Sequence, residues 1–171
     1  MTDPIDHNND LIDRYAGCPA LLDETLNGLA ESDLDLTEAG EGWSIRQYIH
    51  HIADGDDIWK LFIKRAIGCQ QGTFHPEWYW QMPQDEWAKA WNYAGRSVEP
   101  SLEMFRANRA YIAQLLYQVP GALEKRLAVY LPDGKEELAS VEDVVAMQTR
   151  HVEGHVQDIQ RILATRQVKP T

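Results

Sequence analysis

"GCQQGTFHPEWYWQMPQDEWAKAWNYAGRS", residues 68–97, separates two segments of helical periodicity, and its length decides how those helices are wound. A tight turn forces neighbouring helices antiparallel, whereas about thirty residues can cross the length of a bundle and let the helices on either side run parallel. The stretch holds Trp78, Trp80, Trp87 and Trp91, leaving only Trp43 and Trp59 elsewhere. Such aromatic density is unusual in a solvated linker. It fits either a lid or binding wall, or rings that pack the connection and a short helix onto the bundle.

Upstream, "WSIRQ" opens a helix: Ser44 is placed to cap it and Gln47 stands three residues on, as a capping box requires. That helix is expected to run to about Ile67 and stop at Gly68. Downstream, apolar periodicity predicts a helix from about Val98 to Val119, with Pro100 tolerated in the first turn and Pro120-Gly121 as the stop. A first helix is expected from about Asn9 to Leu29, carried by Leu11, Ile12, Tyr15, Leu22, Leu26 and Leu29, with a kink at Pro19. The last opens at "SVED", with Ser140 capping and Asp143 in its first turn, and extends to about Thr165. Before it, "LAVYLPDGKEEL" places two β-prone runs around Asp133-Gly134, a small hairpin. The fold class is all-α, a four-helix bundle with a long crossover between helices two and three.

At 171 residues the chain fits a single domain spanning 1–171, with enough core to fold without disulfides or metals as staples. Sixteen Lys and Arg against 27 Asp and Glu give a net charge of −11, which disfavours phosphate backbones and anionic membranes. Nucleic acid and membrane partners are therefore not expected. Cys18 and Cys69 form no framework and match no zinc-ribbon spacing, which suits a reducing compartment. The N-terminal "MTDPIDHNND" is polar and acidic, and no apolar run approaches the ~20 residues that span a bilayer, so a cytoplasmic protein is expected.

Four histidines carry the functional question. His151 and His155, in "RHVEGHVQDI", are four apart on one helix face, inside the apolar stripe of Val144, Val145, Gln148, Val152, Ile159 and Ile162. Inward imidazoles need partners, and a metal, a buried water or a carboxylate would each serve. A zincin is excluded: Val152 stands where that motif has Glu, and Glu153 is turned roughly 200° from His151. On the second helix, His51 aligns with Tyr48, Gly55, Ile58 and Phe62, and Gly55 leaves room one turn on for something to approach. His50 shares its side with Arg46, Gln47, Asp54 and Asp57 and reads as solvent-facing. His51 is thus the inward candidate, and Tyr48 and Gly55 are candidate pocket residues. His7 and His75 fall in predicted loops without a role. Three neutral imidazoles suit zinc or nickel, with iron or manganese also accommodated, and leave positions open for water or substrate. Asp54 and Asp158 are candidates to accept a ligand's second N–H.

"GWSIRQYIHHIAD" followed about a hundred residues later by "RHVEGHVQDI" resembles the DinB/YfiT-like superfamily of metalloenzymes. The likeness also takes in "LIDRYAGCPALLDETLNGL" and "LPDGKEEL". It implies an up-down-down-up bundle and a three-histidine metal site, with the first ligand eight residues after the Trp of the W-S/T motif. Counted from Trp43 that is His51, and the C-terminal His-x-x-x-His supplies His151 and His155. Members include thiol-dependent S-transferases, a mycothiol-dependent isomerase and proteins described as metal-dependent hydrolases, often dimeric. The resemblance therefore implies one divalent metal ion, a small-molecule substrate that includes a low-molecular-weight thiol or water, and a homodimer. S-transfer is favoured over hydrolysis. The alternative is a non-catalytic dimeric bundle that binds a metal or small ligand, since "HVEGH" supplies no general base.

Overall fold

The structure, a computed structural model, describes residues 4–38, 40–69 and 71–166. Four long helices form the body: α1 (Pro4–Leu26), α2 (Ile45–Gly68), α5 (Glu99–Gln118) and α6 (Val141–Arg166). Two short helices, α3 (Glu77–Trp80) and α4 (Gln84–Ala90), lie in the crossover. α1 begins and ends earlier than its periodicity suggests, contains Pro19, and takes in His7, which was expected in a loop.

Side-chain pairings give the winding. His50 meets Ser101 and Lys60 meets Asn108, so α2 and α5 run parallel, as the long crossover permits. Asp23 meets Arg106 and Asp13 meets Tyr117, so α1 and α5 are antiparallel. Tyr48 approaches His155 and His51 approaches His151, which makes α2 and α6 antiparallel. Arg14 reaches Glu153, and Leu21 and Thr25 share a surface cavity with Gln160 and Ala164, so α1 and α6 run parallel. The bundle is up-down-down-up.

Both helices that carry candidate histidines start at built caps. Ser44 Oγ accepts from Gln47 N–H at 3.3 Å while Gln47 Oε1 accepts from Ser44 N–H at 3.0 Å. Ser140 Oγ accepts from Asp143 N–H at 3.0 Å while Asp143 Oδ2 accepts from Ser140 N–H at 2.9 Å. Each box satisfies donors that the first helical turn would leave unpaired.

The expected hairpin is present as antiparallel β4 (Arg126–Tyr130) and β5 (Glu136–Ser140), turning through Gly134 at φ +83°. Two features were not foreseen. β3 (Thr73–Phe74), from the crossover, joins β4 in parallel, and β1 (Thr37–Glu38) pairs with β2 (Glu41–Ser44) just before α2.

The apolar interior divides into two clusters, one around Ile12, Tyr15, Phe62, Ile63 and Ile112, the other around Leu22, Ile49, Ile52, Phe105, Val152 and Ile159. Every residue of the stripe foreseen on α6 is buried. Cys18 is buried and Cys69 exposed, both as free thiols. Among the described residues no helix is long and apolar enough to cross a membrane.

The supposed solvent face of α2 is a correction. Arg46 and His50 are buried, His50 completely, because the crossover returns over them. Arg46 donates to the Arg96 carbonyl at 3.1 Å and pairs with Asp35 at 2.7 Å. His50 Nδ1 lies 2.8 Å from Ser101 Oγ, its ring lies against Tyr93, and the Tyr93 hydroxyl donates to Asp54 at 2.6 Å. These partners offset the cost of burying Arg46 and the His50 Nδ1, while the His50 Nε2 is buried without a hydrogen bond among the described residues.

Candidate metal centre

The antiparallel contact of α2 with α6 brings His51, His151 and His155 to one point. His151 Nε2 lies 3.0 Å from His51 Nε2 and 3.1 Å from His155 Nε2, and the three candidate ligand atoms all fall within 4.8 Å of one another. The three rings meet edge to face, with centroids 4.5–5.0 Å apart. Gly55 sits directly behind: a Cβ there would meet His151 Cε1 at 3.5 Å, ordinary contact, so the ring lies against α2 with room for a methyl group at that position.

Burial holds two of the three rings uncharged. It pushes His51 down to about 3, helped by the neighbouring His151 and His155, and pushes His151 down to about 4, helped by His155 and Arg109. Neutral imidazoles are the form that binds metals. His51 Nδ1 and His151 Nδ1 are buried without a hydrogen-bond partner among the described residues. His155 Nδ1 pairs with Asp158 at 2.9 Å.

The donor set fits a divalent cation. Nitrogens at about 2.0–2.1 Å around a tetrahedral zinc stand about 3.4 Å apart, and the two contacts of 3.0 and 3.1 Å fall a few tenths of an ångström inside that value. Three lone pairs converging at such distances repel one another unless a proton or a cation lies among them.

Trp43 and Tyr48 flank the cluster. The Trp43 ring lies 5.0 Å from His51, the Tyr48 ring 5.1 Å from His155, and the two rings 5.6 Å from each other. Burial, with Asp158 nearby, raises the Tyr48 hydroxyl above its ordinary value. The Trp43 indole N–H donates to Asp85 of α4 at 2.8 Å, which ties the crossover to the site. Most of the crossover aromatics serve packing instead: Tyr79 stacks on Trp87 and Trp91, whose rings lie 4.6 Å apart. Trp43 and Asp85 were not foreseen as neighbours of the site, because periodicity stops at the Ser44 cap and Asp85 lies 42 residues on. Glu153 turns away to Arg14, as helical geometry requires. Of the two carboxylates considered as imidazole partners, Asp158 takes that place and Asp54 takes Tyr93. His75 lies between β3 and α3, stacked on Tyr130.

The DinB superfamily model matches residues 14–159, from the first helix through both histidines of the last. The chain belongs to the DinB superfamily. Among curated proteins it is 27% identical over 148 residues to a "putative metal-dependent hydrolase" of Oceanobacillus iheyensis, covering 78% of this chain and 83% of that protein. A second "putative metal-dependent hydrolase", of Geobacillus thermodenitrificans, is 26% identical over 141 residues, covering 82% of this chain and 75% of its own. Among solved structures the chain superposes on YfiT from Bacillus subtilis, described as "a probable metal-dependent hydrolase with an unusual four-helix bundle topology". The TM-score is 0.81 at 18% identity, covering 99% of this chain and 93% of YfiT. That likeness speaks to the fold.

Proposed function

We propose that this member of the DinB superfamily is a divalent-metal-dependent enzyme in which His51, His151 and His155 hold the cation and a small molecule reacts beside it. The observation that carries the reading is the convergence of three imidazole Nε2 atoms from two helices, two of the rings kept neutral by burial. A divalent cation so held supplies Lewis acidity that lowers the pKa of a bound water or thiol towards neutrality. The rest is the work of the chain. The buried rings keep their lone pairs free, Gly55 leaves the His151 ring unobstructed on the α2 side, and Trp43 and Tyr48 flank the position a substrate takes.

Within this class, transfer to or from a low-molecular-weight thiol is the leading reaction, on the resemblance to thiol-dependent transferases. Hydrolysis is the competing one, supported by the printed names of the curated relatives. Zinc or nickel suits three imidazoles best, with iron or manganese accommodated by the same donors. The same resemblance supports a homodimer as the working unit. A non-catalytic metal-binding bundle is favoured by one observation: Asp158, the carboxylate bonded to the cluster, is engaged by both His155 and Arg161 and so is not free to act as a base.

Metal content by mass spectrometry on untagged protein, beside His51→Ala and His155→Ala, tests the site. The native chain is expected to carry about one ion and both variants to lose it. A native protein that cannot be loaded with zinc, nickel, manganese or iron refutes the proposal. On loaded protein, turnover of an electrophile that requires a thiol identifies the transferase, turnover of esters or amides without one identifies the hydrolase, and a rise in melting temperature without turnover on either panel selects the binding bundle.

A further inference from the structure

Among the three clustered histidines, His155 alone has its outer ring nitrogen held by a protein group among the described residues. Asp158, three residues on along α6, places Oδ2 2.9 Å from His155 Nδ1, whereas the outer nitrogens of His51 and His151 are buried without a partner. Asp158 is itself fixed from the other side. Its Oδ1 accepts from Arg161 Nη2, and Arg161 Nε lies 3.9 Å from Glu38 on β1. The His155 and Asp158 side chains are only 21% and 23% exposed, so water screens their contact less than it would a surface pair.

A carboxylate held by a guanidinium accepts hydrogen bonds and donates none. The Nδ1 of His155 must then carry the hydrogen, and in the neutral ring this leaves the Nε2 lone pair bare, directed at His151 Nε2 3.1 Å away. Reversing the tautomer would bury a hydrogen at the point where the ligand atoms converge and leave Nδ1 and Oδ2 as two acceptors facing each other.

We propose that Asp158 is the positioning residue of the site: it selects the tautomer and ring angle of His155 that cation binding needs, and sets a carboxylate beside the three ligands. Arg161, anchored near β1, holds the carboxylate in place. The inference rests on the metal-dependent reading above, but it concerns a residue that touches neither cation nor substrate. Asp54, also close in sequence to a clustered histidine, accepts from the Tyr93 hydroxyl instead.

The test compares the native chain with Asp158→Ala and Asp158→Glu in three measurements: zinc affinity by competition with a chromophoric chelator, melting of the metal-free protein, and the long-range proton–nitrogen NMR spectrum of His155 without metal. Expected is a roughly 10–100-fold weaker affinity for Asp158→Ala, partial recovery in Asp158→Glu, and little change in metal-free melting. The His155 spectrum should show one tautomer, hydrogen on Nδ1, in the native protein and lose that preference in Asp158→Ala. Native affinity in Asp158→Ala, an unchanged His155 tautomer, or an affinity loss matched by a collapse of metal-free stability would overturn the proposal. The metal-dependent reading fails separately, when the native chain takes up no metal at all, and the metal-free spectrum then still decides whether Asp158 governs His155.

Discussion

Gly55 shows what a single residue decides here. An added Cβ would stand 3.5 Å from His151 Cε1, ordinary contact, but any atom beyond it would enter the ring's place. Gly55→Ala should therefore keep metal binding and gain up to about 1 kcal/mol, since glycine is the poorer helix former. Gly55→Val should fold yet lose metal, because its branched carbons push His151 away from His51. Thermal melts paired with zinc titrations of the two variants check this, and a valine variant that binds zinc like the native chain refutes it. At this scale the sequence was legible wherever the partner lay on the same helix. The four-residue spacing of His151 and His155 guarantees a shared face, and the alignment of His51 with Phe62 and Gly55 gave its inward direction. His50 misled because its partners, Ser101 and Tyr93, lie 51 and 43 residues away, and no periodicity distinguishes a polar face covered by a returning loop from one covered by water.

At the scale of elements, the two helices that bring the histidines together begin at capping boxes directly after β2 and β5. Ser44→Ala and Ser140→Ala should each cost about 0.5–2 kcal/mol. Because α2 and α6 are antiparallel, the caps sit at opposite ends of the bundle, and their losses should add to within about 0.5 kcal/mol in the double variant. Urea unfolding of the two singles and the double measures this, and a clear excess in the double would mean that the caps communicate through the helices between them. These helices were readable because caps, apolar periods and stop signals agreed with one another. The hairpin was readable from Asp133-Gly134. β1, β2 and β3 were not, since strands of two to four residues carry no usable period and are fixed by pairing with distant backbone. The thirty-residue crossover was legible in length and therefore in topology, but not in its internal packing, which depends on which of many aromatic rings meet.

Across the whole molecule, one buried cation ties the four long helices together. Arg109 on α5 lies 2.6 Å from Asp56 on α2, donates to the carbonyls of Tyr15 on α1 and Gln148 on α6, and is held between the rings of Tyr15 at 3.8 Å and Phe105 at 5.1 Å. Tyr15 belongs to one apolar cluster and Phe105 to the other, so the pair sits at their junction, with both side chains almost fully buried. Nothing in the periodicity marked either residue, because a buried ion pair needs two partners that meet only once the chain is wound. Removing one partner strands a charge: Arg109→Ala should cost about 3–5 kcal/mol, whereas replacing both by uncharged groups should cost far less. Acidity gives the sharper test. Burial pushes the Asp56 carboxyl up to about 6, against the pull of Arg109 and Lys60 and with a smaller push from Asp57. In the unfolded chain the same group titrates near about 3.9. Between these values the folded state holds a proton that the unfolded state has released, so the stability this group contributes is fully present below about pH 4 and is lost as pH rises through about 6. The depressed histidines act in the opposite sense over an overlapping range, so the native profile alone mixes the two effects. Subtracting the profile of the Asp56→Asn variant, which keeps Arg109 near His151, removes the histidine contribution that the two proteins share. The difference in unfolding free energy, native minus variant, should fall from pH 4 to pH 6.5 and then level off. A flat difference would mean that Arg109 keeps Asp56 ionised throughout, with the pair's attraction outweighing the cost of burying it.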